Sequence, residues 1–186
     1  SFPTRRSSDY VIIYGMEEME TWLISDTHFG HKNILNFKRK DGEVLRKFHD
    51  VYHMDQYMIS AWNAVVKPDD KVYHLGDVAM CNITRLTEIF SQLPGKKILI
   101  KGNHDNLKLA QYSQLFADIR AYHVLDGILL AHIPVHPESL ARWKGQVHGH
   151  LHYNKVNDPR YYNVSVECID YTPINFETIR KYYETL

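Results

Sequence analysis

The sequence predicts one α/β domain. Short apolar runs alternate with helical patterns from Glu20 onward, a length of 186 residues suits one core, and tight turns rather than linkers separate the segments. A core of this size buries about two thirds of the unfolded surface, so no covalent staple is needed.

The predicted strands are Thr21–Ser25, Lys71–Leu75, Lys97–Lys101, Ile119–Leu125, Gly127–Ala131, Gln146–His148 and Tyr162–Val166. Helices are expected over Asn33–Phe37, Met54–Val66, Thr84–Gln92, Leu107–Gln114, Pro137–Trp143 and Phe176–Tyr183. In the second of these, Tyr57, Met58, Ala61, Trp62 and Val65 form an apolar stripe at helical spacing. Pro68-Asp69-Asp70, Pro94-Gly95 and Asn157-Asp158-Pro159 mark turns, and there is no internal repeat. The domain is expected over 20–186. Residues 1–19 read as a doubtful extension: 1–9 have the look of a translated sequencing adapter, with Met16 and Met19 as candidate starts.

Lys and Arg together number 22, as do Asp and Glu, so no broad field draws polyanions. With no basic stripe interleaved with aromatics, stable nucleic-acid binding is not expected. No apolar run approaches the roughly 20 residues of a membrane span. Cys81 and Cys168 form no metal-knuckle or disulfide pattern and read as small apolar residues, which points to a cytoplasmic protein. The chain carries 12 histidines, an excess that calls for a chemical account.

That account lies at the strand ends. Predicted strands run directly into Asp26-Thr27-His28, Gly76-Asp77, Gly102-Asn103-His104-Asp105, His132 and Gly149-His150-Leu151-His152. Ligands of α/β sheets bind outside the carboxyl ends of strands, so these ends point to one place. Glycine just before Asp77, Asn103 and His150 lets the backbone turn where a side chain would crowd. Asp-x-His and His-x-His would put each pair on one side of an extended segment. Asp26, His28, Asp77, Asn103, His132, His150 and His152 offer more donors than one tetrahedral ion takes, but suit two ions sharing a carboxylate. Two divalent ions with two carboxylates and a hydroxide sum to about +1, a surplus that attracts phosphate. The residues thus predict a two-metal hydrolase acting on a phosphoryl group.

The ordered series DTH, GD, GNHD, a lone His before Ile-Pro, and GHLH resembles the calcineurin-like metallophosphoesterase family. It spans Asp26 to His152, and the ending NVSVECIDYTPINFETI is similar to that family's closing strand and helix. The resemblance implies a four-layer αββα sandwich: two facing mixed sheets flanked by helices, with a dinuclear site at strand C-terminal ends. By the same resemblance Asp26, His28, Asp77 and His152 hold one metal, while Asp77, Asn103, His132 and His150 hold the other. His104 is then the general acid beside a metal-bridging hydroxide, and Asp105 orients it or raises its basicity. The ions fall among Mn, Fe, Zn, Ni and Co, which donor chemistry does not separate. One departure stands out: Met80 occupies a position where the family often has Asp or Arg.

The expected reaction is hydrolysis of a small phosphate ester, phosphodiesters first, with cyclic or short nucleotides as one candidate kind, and phosphomonoesters and triesters as further candidates. The rival readings are a non-catalytic metal-binding scaffold and a nuclease on longer nucleic acid; monomer and homodimer both stay open. His31, at a predicted helix N-terminus, and His136 are candidates for substrate contact. His74 and His148 read as support beside the ligands, and His49, His53 and His123 as structural or surface residues. Trp22, Trp62 and Trp143 are assigned to the core. Lys38-Arg39-Lys40 is a short basic run, a solvated loop by default and a steering patch for anions otherwise.

Overall fold

A computed structural model describes residues 18–186; the reading of 1–9 as non-native lies outside the described residues. The first sheet holds β1 (Thr21–Ile24), β2 (Lys71–His74), β3 (Lys96–Ile100) and β4 (Asp118–Arg120), all parallel. A two-residue β9 (Ile174–Asn175) joins β1 antiparallel, giving the order β4-β3-β2-β1-β9. The second sheet runs β5 (His123–Leu125), β6 (Ile128–Leu130), β7 (Gly145–His148) and β8 (Tyr161–Asn163), parallel except for the β5–β6 hairpin. Both sheets are therefore mixed.

Side-chain alternation explains the layering. In the first sheet Leu23, Tyr73 and Ile98 stand in register, and with Leu75 and Ile100 they pack against Ile128, Leu130 and Val147 of the second. The alternate residues Ile24, Val72 and Leu99 face the other way, into a core shared with helices. Both faces are covered, which is why these strands read as near-continuous apolar runs.

The helical cover comprises α1 (Val51–Val65) and α2 (Ile83–Phe90), capped by the Asp50 and Asn82 side chains. Met54, Met58, Trp62, Leu86 and Ile89 fill the interface. The predicted stripe on α1 is rotated by about a position: Met54, Met58, Ile59 and Trp62 are buried, whereas Tyr57 is 43% exposed. Tyr57 instead packs its ring against Phe48 and Tyr171 at the rim. The predicted helices before and after this pair shrink to a 3₁₀ turn at Lys32–Asn36 and a single turn, α3 (Leu109–Tyr112). Near the C-terminus α4 (Phe176–Glu184) sends Phe176, Ile179 and Tyr183 into the inter-sheet core. The outer face of the second sheet has thinner cover than expected, a 3₁₀ segment at Pro137–Arg142 that buries Leu140 against Leu129 and Tyr161.

The predicted strand Ile119–Leu125 is corrected. It breaks at Ala121-Tyr122, so that β4 ends the first sheet and β5 begins the second. Arg120 bridges the break to His123 at 2.6 Å, and the His123 ring stacks on Tyr73. Trp62 is fully buried, but Trp22 and Trp143 are only partly covered. Among the described residues no helix is long and apolar enough to cross a membrane.

Candidate metal centre

The ligand loops begin in strained backbone. Asp26 (φ 58°), His28 (47°), Asp77 (54°), His150 (68°) and His152 (51°) all occupy the left-handed region. Each costs on the order of 1–3 kcal/mol for a residue other than glycine, so something must hold it there. Asp105 is one clamp: 1% exposed, its carboxylate accepts the N–H groups of Asp77 (3.0 Å), Val78 (2.9 Å) and Gly102 (2.7 Å), and the Tyr112 hydroxyl. Arg46 is another, donating to the carbonyls of Asp26 (2.5 Å) and Thr27 (2.8 Å) from behind the first loop. A Cβ on Gly149 would overlap Ser25 Oγ and Asp26 Oδ2, and one on Gly102 would overlap the Asp77 carboxylate, so the loops close only around bare backbone.

These loops gather two groups of potential ligands, Asp26–His28–His152 and Asp77–His132–His150, each with donor atoms within 4.8 Å of one another. Either group could hold a metal ion, and each draws on loops that follow both sheets. Asp77 Oδ2 lies 3.3 Å from His132 Nε2 and 3.7 Å from His28 Nε2, between the groups. Asn103 Oδ1 lies 2.9 Å from both His132 Nε2 and His150 Nδ1. All of the ligands named from sequence therefore meet, but not by the expected route. Left-handed turns replace extended backbone, and His150 and His152 part to different groups instead of sharing a side.

The residues suit cations. Asp26 is fully buried; Oδ2 accepts from the His150 N–H and Ser165 Oγ, while Oδ1 has no partner, nor has either ring nitrogen of His28. Buried polar atoms without hydrogen-bond partners are costly, and a bound ion would satisfy Asp26 Oδ1 and one His28 ring nitrogen. Burial raises the Asp26 pKa, a cost that a neighbouring cation reverses. Burial, reinforced by the Arg46 charge, drives His28 down to about 2, keeping its ring neutral and its lone pair available. Asp77 is pushed up by burial, yet the His132 bond and charge outweigh this and bring it down to about 2.

Outer contacts orient the rings. The Leu75 carbonyl accepts from His132 Nδ1 at 2.6 Å, which leaves Nε2 facing Asp77. Glu167 accepts from His152 Nδ1 at 3.1 Å and from Arg46 Nε at 2.8 Å. Burial lowers the His152 pKa, but Glu167 more than offsets it and the net shift is upward. Burial likewise raises Glu167, and Arg46 with His152 brings it to about 2. Sequence reasoning missed both Arg46 and Glu167. The apolar neighbours Leu45 and Phe48 were the only sign that Arg46 enters the core. His74 supports from below: Gly76 N–H donates to its Nδ1, and its Nε2 meets Thr27 Oγ1 at 2.9 Å. His148 bonds the Gly149 carbonyl.

His104 is exposed, with its ring centroid 5.8 Å from that of His28 and its N–H donating to Asp77 Oδ1. Its expected orienting partner is corrected: the Asp105 carboxylate is taken up by backbone amides and ties the Gly76-Asp77 and Gly102-Asn103 loops together. His31 lies 5.5 Å from His28, ring to ring, where burial and the Arg46 charge lower its pKa. The turn that it precedes is 3₁₀ rather than α-helical, so the expected helix-terminal anion site is not formed there. His136 is exposed and accepts from Glu138 N–H at the start of its own 3₁₀ segment. Met80, 42% exposed, lines a groove with His104.

No family model matches this sequence. The Mycobacterium phage L5 gene 66 protein is 36% identical over 88 residues, which cover 46% of this chain and 39% of that protein. The "Protein of Unknown Function AQ665" from Aquifex aeolicus has a crystal structure similar to this one, with a TM-score of 0.72 and 29% identity over 88% of this chain and 99% of that one. The "Uncharacterized protein MJ1445" of Methanocaldococcus jannaschii aligns over 178 residues, 91% of this chain and 94% of that protein. With 32% identity across that alignment, the chain belongs to the family of MJ1445.

Proposed function

We propose that the protein is a dinuclear metal-dependent phosphoesterase of the calcineurin-like kind, with phosphodiesters its preferred substrates. The observation that supports this best is the pair of Asp/His groups meeting at Asp77, with unpartnered Asp26 and His28 atoms inside and an exposed histidine beside them. Asp26, His28, Asp77 and His152 would hold one ion; Asp77, Asn103, His132 and His150 would hold the other. Bound there, the ions would supply Lewis acidity that activates water and offsets charge on the phosphoryl oxygens. Nitrogen and oxygen donors without sulfur suit Mn, Fe, Co, Ni or Zn.

The chain's own residues do the rest. Glu167 and the Leu75 carbonyl fix the tautomers of His152 and His132, and Asp105 and Arg46 hold the loops in register. In the reaction a water oxygen bonds to phosphorus, the P–O bond to the leaving alcohol breaks, and His104 delivers the proton that the departing oxygen requires. An exposed histidine beside the ligand groups favours catalysis over a scaffold role.

Metal analysis with initial rates on aryl mono-, di- and triesters, after chelation and reloading, tests the proposal. Two equivalents of metal and diester hydrolysis are expected. Replacing His104 by Ala should lower turnover of an alkyl diester by about 10²–10⁴-fold with metal content unchanged. A reloaded protein inert toward all three ester classes would overturn the reading, and equal turnover in H104A would remove the acid assignment.

A further inference from the structure

We infer that the groove between Phe37 and Tyr153 binds one organic arm of a phosphodiester, an aromatic base stacked on Phe37 with extra anionic charge at Lys38. This rests on the phosphoesterase reading and names its substrate class. The groove, about 550 Å³, starts at the ligand His152 and is walled by Phe37, Lys38, Leu45 and Tyr153. A run of rings links it to the centre: His152 and His28 are 5.3 Å apart by centroid, His28 and His31 5.5 Å, and His31 and Phe37 5.6 Å, edge to face. Phe37 nevertheless leaves 47% of its surface to water, an apolar face beside a charged centre. An aromatic base covers such a face whatever its identity.

The neighbouring charges are unequal. Arg39 closes on Asp41 and stacks over the Tyr153 ring at 4.7 Å, while the Tyr153 hydroxyl accepts the Lys40 N–H, so that wall is fixed. Lys38 lines the groove exposed, with no ion pair among the described residues, and is available to a second anionic group. A separate groove of about 350 Å³ starts at His104, between Met80, Asn82, Asn106 and Leu107, and is lined by no Lys, Arg, Asp or Glu. A monoester needs one groove. Two, one starting at the general acid and one starting at the ligand His152, match the leaving and retained arms of a diester.

Thymidine 5′-(p-nitrophenyl phosphate) and methyl p-nitrophenyl phosphate share a leaving group and differ only in the retained arm. The reloaded enzyme should favour the thymidine ester at least tenfold in kcat/KM. Phe37→Ala should cut that ratio about tenfold and Phe37→Trp restore it. Adding a 3′-phosphate to the thymidine should raise kcat/KM further, a gain lost in Lys38→Gln. Equal values for the two esters in the wild type, or a ratio unmoved by F37A, would overturn the subsite while methyl ester hydrolysis upheld the function. If neither ester were cleaved, calorimetric titration with thymidine 5′-monophosphate would decide: binding weakened about tenfold by F37A supports the groove, and no binding overturns it.

Discussion

Glu167 joins Arg46 to His152, with the guanidinium and carboxylate each almost wholly enclosed. Removing one partner of a buried pair leaves the other charge stranded, at a cost of about 3–5 kcal/mol. Glu167→Gln should therefore lower the urea midpoint of the metal-free protein and weaken metal binding roughly 10–100-fold, since His152 loses the group that sets its tautomer. Unchanged metal affinity in that variant would refute the orienting role. Leu at position 46 should be milder toward metal, because Arg46 hydrogen-bonds to Glu167 and two carbonyls and not to a ligand side chain. This relationship escaped the sequence for a physical reason: the partners lie 121 positions apart and follow no periodicity. The candidate ligands, by contrast, were legible because strand ends announce themselves through the apolar runs that precede them.

Strands and helices were read well where burial is two-sided or amphipathic, and poorly where geometry depends on distant contacts. The runs that became β1, β2, β3 and β7 lie within a residue or so of their expected bounds, since each must cover both of its faces. The stretch from Ile119 to Leu125 deceived because a chain passing from one sheet to the next shows the same apolar residues as a single strand. At the end of β2, His74 is fully enclosed and neutral, its pKa driven down to about 3 by burial. The sign follows from linkage. The unfolded chain, with an ordinary histidine near 6.5, binds the proton that the fold rejects, so stability is full above about 6.5 and falls as pH drops toward about 3. The loss is at most about 1.4 kcal/mol per pH unit. Urea midpoints of metal-free wild type and His74→Gln, taken from pH 7 to 4.5, should converge as pH falls; parallel curves would show that His74 does not carry the effect.

At the scale of the molecule, two mixed sheets share one core, and α4 sends three of its side chains into it. Tyr183 at its far end donates to the carbonyls of Gln146 and Arg160, so that helix also fastens the β7 and β8 region. Each ligand group divides across the same boundary: Asp26, His28 and Asp77 follow first-sheet strands, whereas His132, His150 and His152 follow second-sheet strands. Ions seated as proposed would act as rivets through a seam, making the two halves mechanically one body. Chelation should then speed amide hydrogen–deuterium exchange across β6 and β7 as well as at the ligand loops, and reloading should reverse it; exchange that quickened at the loops alone would mean that the halves stay joined without their rivets.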